Sequence, residues 1–142
     1  MNVKVLLVDD EEQFLEVLAE RLETRNFDVR KAFSCDEAIA KLQEQESDVV
    51  ILDVLMPGKD GVQTLKEIKR LRPIVEVIML TGHATVETAI EGMKLGAYDY
   101  LMKPSETEDL VNKISKAYQR KNDHEERIRQ AEIDKIIKAR GY

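Results

Sequence analysis

Four consecutive acids, Asp9, Asp10, Glu11 and Glu12, follow directly on the apolar run VKVLLV at residues 3–8. Carboxylates this close repel one another, and each loses hydration if it is drawn out of water. Asp53 closes a second apolar run, DVVILD at 48–53; Thr81 closes IVEVIMLT at 74–81, and Lys103 follows YDYLM at 98–102. A hard divalent cation resolves the repulsion among Asp9, Asp10 and Asp53. Magnesium suits such a site, since it takes carboxylates together with waters and phosphate oxygens. Calcium fits less well, because no EF-hand loop of alternating ligands is present. Lys103 can offset the acids' charge and bind an incoming anion, and Thr81, followed by Gly82, offers that anion a hydroxyl. Three acids, a cation, a lysine and a hydroxyl together suggest phosphate chemistry.

Each residue also has a plainer reading. Acids after a strand often only begin the next helix, where they suit its dipole, and Glu11 and Glu12 are read that way. Most lysines are solvated surface groups, and a β-branched threonine is at home at a strand end. Asp53 changes the balance. A charged residue closing VVIL faces the same sheet edge as Asp9 and Asp10 and can meet them.

The elements that must position these residues alternate. VKVLLV reads as a strand covered on both faces, and Phe14, Leu15, Leu18, Ala19 and Leu22 recur at helical spacing over about 12–25. FDVRKA at 27–32 is a weaker strand, followed by a short helix on Ala38, Ile39 and Leu42 with Ser34 or Asp36 as cap. After the strand at 48–53 comes a loop, MPGKDG, and a helix with Val62, Leu65, Ile68 and Leu71 inward. The strand at 74–81 precedes a helix over 84–95 stopped by Gly96; the strand at 98–102 precedes a last helix near Ser105. In that helix Ser105 and Glu108 have capping-box spacing, and Leu110, Val111, Ile114 and Tyr118 form an inner face. Strand–helix alternation with short connections implies an α/β fold, a doubly wound five-stranded parallel sheet with helices on both faces. Analogy with flavodoxin-like folds supplies the strand order 2-1-3-4-5, which spacing alone does not determine. In such sheets ligands bind beyond the carboxyl ends of the strands, where all the residues above fall.

The 142 residues, 43% hydrophobic, suffice for one core and are read as a domain over 1–120 with a charged extension over 121–142. A net charge of -6 argues against nonspecific attraction to nucleic acid or anionic membrane. Cys35 is the sole cysteine and can form no internal disulfide, which fits a reducing compartment. With neither a signal-peptide pattern nor a bilayer-length apolar run, the expected location is the cytoplasm.

Taken together, VDDE at 8–11, ILDVLMPGKDG at 51–61, LTGHA at 80–84 and GAYDYLMKP at 96–104 resemble the receiver domains of bacterial two-component response regulators, from about Val3 to Tyr118. The resemblance implies that Asp53 is the phosphoacceptor, served by a histidine kinase or phosphotransfer protein. It implies Asp10, Asp53 and the main-chain carbonyl of Leu55 as direct magnesium ligands, with Asp9 acting mainly through water. Lys103 and Thr81 would contact the phosphoryl oxygens. Thr81 and Tyr100 would form the switch, Tyr100 turning inward, and a downstream protein would read the face of helix four, strand five and helix five. A tyrosine packed permanently at the sheet edge is the plainer alternative for Tyr100. The family often has a cis peptide at the position of Lys103 and Pro104. It commonly has a large apolar residue where Ser105 stands. Leu55 and His83 occupy positions that tend to govern water access, and His83 is also a weak metal-ligand candidate.

Met56, Pro57 and Gly61 suit a tight path beside a metal, with Gly58 and Gly61 able to take positive φ. The segment 119–142 mixes both charge signs with Ile128, Ile133, Ile136 and Ile137; it can prolong helix five, form a separate helix or fray, and a docking or homodimer role stays open. Whether the chain stands alone or is a piece of a larger regulator also stays open. The competing functional class is a receiver-like interaction scaffold that no longer uses phosphate, which should have lost an acid, Thr81 or Lys103. An electron carrier should have hydroxyl and glycine residues where four acids stand, and an aspartate-nucleophile hydrolase should have a second aspartate where Leu55 stands.

Overall fold

The computed structural model describes residues 2–54, 61–82 and 86–141. Strands β1 (Lys4–Val8), β2 (Asp28–Ala32), β3 (Val49–Leu52), β4 (Glu76–Thr81) and β5 (Asp99–Met102) alternate with helices α1 (Glu12–Glu23), α2 (Cys35–Glu44), α3 (Gly61–Leu71), α4 (Val86–Lys94) and α5 (Thr107–Ala139). All strand pairs are parallel, and the sheet order is β2-β1-β3-β4-β5, the order expected by analogy.

Side-chain alternation along the central strands divides the core in two. Leu6, Val8, Val50, Leu52, Val77 and Met79 face one side, where they meet Ala38 and Leu42 of α2 and Leu65 and Ile68 of α3. Val5, Leu7, Val49, Ile51, Ile78 and Leu80 face the other, against Leu15, Leu18 and Leu22 of α1 and Leu110, Ile114 and Ala117 of α5. Each fully buried leucine or isoleucine contributes about 1.5–3 kcal/mol of transfer free energy. Because both faces are covered, β3 and β4 are buried at every position. A register slip would therefore exchange two cores as well as displace Asp53.

Local signals set the element ends. The Ser34 side chain accepts a hydrogen bond from Glu37 N at 3.1 Å and caps α2. Gly96, at φ 103°, follows α4 in a left-handed conformation that other residues rarely adopt. The capping box expected at α5 is not made: Glu106 is the N-cap without a side-chain bond, and Glu108 instead accepts from Arg25 Nη2 at 2.6 Å. The helix begins at Thr107, which puts Ser105 one position before the N-cap and out of register for the box.

α5 continues unbroken to Ala139, so the segment beyond Tyr118 prolongs this helix. Of the four residues expected inward, Leu110 and Ile114 are buried whereas Val111 and Tyr118 are partly buried, and Ala117 and Lys121 complete the buried stripe. Among the described residues no helix is long and apolar enough to cross a membrane.

Candidate functional site

Four strand ends converge on one edge of the sheet. Asp9 follows β1, where its N–H donates to Ala32 O at 3.1 Å and its Oδ1 accepts from Glu11 N at 3.0 Å. Asp53 follows β3, its N–H donating to Val8 O at 3.0 Å. Thr81 ends β4, and its carbonyl accepts from Lys103 N at 2.8 Å. These main-chain bonds lock the candidate side chains into the sheet register. The Lys103–Pro104 peptide is cis, as the resemblance implies.

Asp9, Asp10 and Asp53 each present a carboxylate oxygen, all within 4.8 Å of one another; Asp9 and Asp53 are buried and Asp10 is exposed. Two buried acids beside a water-facing third make a hard-oxygen donor set that fits a divalent cation with room left for waters. Lys103 Nζ donates to Asp9 Oδ2 at 2.6 Å and stands 3.6 Å from Asp53 Oδ2. Desolvation raises the Asp9 pKa and the Asp53 charge adds to it, outweighing the Lys103 and Glu11 hydrogen bonds. Burial opposes the charge on Lys103, but its bond to Asp9, the Asp9 charge, the bond to Glu11 and the Asp53 charge outweigh that cost and hold its pKa above the ordinary lysine value.

Two partners of Lys103 escape a reading of the sequence. Glu11, which reads as a helix-start acid, accepts from Lys103 Nζ at 3.1 Å, and the ring of Phe14, which reads as a core residue of α1, lies with its centroid 4.1 Å from the same ammonium. No short-range pattern reports either contact; only the position of Glu11 next to Asp9 and Asp10 hints at it.

Gly61 does not take positive φ, contrary to one of the options its position allows. Its need is space: a Cβ there would lie 2.1 Å from Val54 Cα and 2.8 Å from Asp53 O. Gly61 N also donates to Val54 O at 2.8 Å, so the start of α3 is pressed against the residue next to Asp53. Leu55, Met56, Pro57, Gly58 and His83 lie outside the described residues.

Tyr100 is 42% exposed on β5 and lines a surface groove with Ala89, Ile90 and Met93. Its ring is thus on the outer side of the sheet edge, not packed inward. Thr81 is buried at the adjoining strand end.

A doubly wound parallel sheet with an acidic cluster and a partly buried lysine at its carboxyl edge belongs to the open α/β class in which ligands bind beyond that edge. Residues 5–115 match the family model described as the response regulator receiver domain, and the chain belongs to that family of two-component signalling proteins. It is 40% identical over 116 residues to the transcriptional regulatory protein ZraR of Escherichia coli (strain K12), covering 82% of this chain and 26% of that protein. It is 36% identical over 118 residues to a putative NtrX-like response regulator of Rickettsia conorii, covering 82% of this chain and 25% of that one. The chain therefore spans about a quarter of the length of these curated relatives. A CheY-like receiver domain protein from Methanospirillum hungatei JF-1 superposes with a TM-score of 0.84 at 28% identity, over 87% of this chain and 99% of that one. NtrX from Brucella abortus does so with a TM-score of 0.82 at 32% identity, over 89% of this chain and 29% of that one.

Proposed function

We propose that this chain is a phosphoacceptor that takes a phosphoryl group onto Asp53 from the phosphohistidine of a sensor kinase or phosphotransfer protein, in a magnesium-dependent reaction. The observation that carries the reading is the convergence of Asp53, Asp9 and Asp10 within 4.8 Å, with Lys103 Nζ beside them. A carboxylate is a competent nucleophile for this transfer and forms an acyl phosphate. An oxygen of Asp53 attacks phosphorus, the P–N bond of the donor breaks, and its electron pair returns to the imidazole ring. Most of the catalysis is placement and charge neutralisation. Lys103 supplies one positive charge from its place between Asp9 and Asp53, and the Thr81 hydroxyl donates to a phosphoryl oxygen. By the resemblance, Asp10 and Asp53, with the main-chain carbonyl of Leu55, would hold the metal, while Asp9 would act through water. When bound, magnesium supplies positive charge against the oxygens of the transferring group.

Occupancy of Asp53 biases a two-state equilibrium only through its differential contacts with the two states. Thr81, drawn toward the acyl phosphate, vacates space toward which Tyr100 turns from its exposed position. The face of α4, β5 and α5 changes with it, and a downstream protein, or a second copy of the chain, reads that face. The setting is the cytoplasm, with neither nucleic acid nor membrane contacted directly by this domain.

The test is intact-protein mass spectrometry after incubation with magnesium and acetyl phosphate, comparing the chain with Asp53→Asn. A single phosphoryl adduct, absent in the folded mutant, is expected. Retained labelling in Asp53→Asn excludes Asp53 as the nucleophile. No adduct on folded, magnesium-binding parent protein, even with phosphorylated kinase supplied, favours a phosphorylation-independent scaffold.

A further inference from the structure

We propose that Arg120 and Lys121 form a clasp that locks α5 to the floor of the sheet, at the end opposite the carboxylates, and fixes the direction in which the helix leaves the domain. The inner stripe of α5 descends through Leu110, Ile114 and Ala117, and the next position on it is Lys121, a lysine only 8% exposed. Its ammonium lies 2.8 Å from Asp48 Oδ1 and 2.5 Å from Glu125 Oε1. Asp48 is itself held: Oδ2 accepts from Lys4 N at 2.8 Å, its N–H donates to Lys4 O at 2.8 Å, and its carbonyl accepts from Glu76 N at 3.2 Å. One turn of main chain thus ties Lys121 to the starts of β1, β3 and β4.

Arg120 grips a second point. Its guanidinium pairs with Glu76, the first residue of β4 and 4% exposed, and lies 4.8 Å from the centroid of the Tyr98 ring. Lys69 reaches the same carboxylate at 3.9 Å and donates to Val75 O at 2.7 Å. Adjacent helix positions point about 100° apart around the axis. Two grips at that angle, one on Asp48 just before β3 and one on the first residue of β4, add directional constraints against rolling and swinging below the apolar stripe of Leu110, Ile114 and Ala117. The Lys121 pair is buried while the Arg120 side chain is 54% exposed, and since such pairs are weak evidence for net stability, their role in the clasp is to specify one arrangement.

Past Glu125 every described residue of α5 is exposed. The helix nevertheless runs on to Ala139, a span of about 20 Å at 1.5 Å per residue. So short an isolated helix is marginal in water, and local pairs such as Arg129 with Glu126 at 2.5 Å and Gln130 with Asp134 at 3.0 Å add little each. Its orientation therefore derives from its base. This inference rests on the geometry of the floor and is independent of phosphate chemistry at the opposite edge.

The experiment is a distance distribution between spin labels at Gln43→Cys and Gln130→Cys in a Cys35→Ala background, on the full chain diluted with unlabelled protein. A narrow distribution is expected with the clasp intact. The Arg120→Gln, Lys121→Gln double variant should broaden it at least twofold while the circular-dichroism signal of the domain is kept. Asp48→Asn, which removes one acid and leaves the helix sequence untouched, should broaden it in the same direction and serves as the reading if the double variant does not fold. A distribution as narrow in a folded variant as in the parent overturns the proposal, and so does a broad one in the parent.

Discussion

Lys103 Nζ lies 2.6 Å from Oδ2 of Asp9, across a separation of 94 residues. The same ammonium stands 3.6 Å from Asp53, so it places a positive charge beside two buried carboxylates. Lys103→Ala should therefore destabilise the metal-free chain by about 3 kcal/mol, the cost of leaving a buried charge unpaired. Magnesium at saturating concentration should recover most of that loss, because it supplies charge to the same carboxylates. Urea denaturation of parent and variant, with and without magnesium, measures both; equal losses in the two buffers would count against a shared task for lysine and metal.

Asp10 is the exposed member of the acid trio, so its removal should leave the fold intact. Asp10→Asn should weaken magnesium binding at least about tenfold, the lower bound seen when even a supporting group of a metal site is lost. Calorimetric titration with magnesium chloride checks this, and unchanged affinity removes Asp10 from the ligand set.

At Gly61 the smallest possible side chain is already too large. Because an added Cβ meets main-chain atoms of Val54 and Asp53, neither of which is a flexible side-chain tip, Gly61→Ala should cost about 2 kcal/mol or more. It should also lower magnesium affinity by displacing Asp53. A variant with parent-like thermal stability and affinity contradicts the packing argument.

Lys121 should make a pH-dependent contribution to stability. Desolvation alone would lower its pKa, but the bonds to Asp48 and Glu125 and the charges of both outweigh it and the folded-state pKa is raised. The stabilisation is therefore fully present below the unfolded lysine value and is lost as pH rises through the folded one. The stability difference between the parent and Lys121→Met should be about 3 kcal/mol near neutrality, the low end for breaking a buried pair. It should hold steady to about pH 10 and shrink above that. Chemical denaturation across that range decides it, and a difference that grows with pH has the wrong sign.

Much of the architecture is legible in the chain because its signals are short-range. The apolar runs ending at Val8, Leu52 and Thr81 mark buried parallel strands, Ser34 caps the helix it precedes, and Gly96 stops the one before it. Where a local signal misleads, the observed element start differs from the one the spacing suggests: α5 begins at Thr107, with Glu106 as its N-cap. Ser105 and Glu108 have the spacing of a capping box, yet Glu108 bonds Arg25 from 83 residues away.

The sequence by itself determined the alternation of strands and helices and placed Asp9, Asp10, Asp53, Thr81 and Lys103 at strand ends, since hydrophobic period and residue type are properties of neighbouring positions. Only the tertiary structure decided which of these charges meet. Glu11 turns to Lys103, Glu76 to Arg120 and Asp48 to Lys121, the last two pairs 44 and 73 residues apart in the chain. Such pairings depend on strand order and on the path of α5, which no local pattern encodes. A charged residue in the sequence reads as solvated by default, and burial that forces it to find a partner exists only once the sheet and helices have packed.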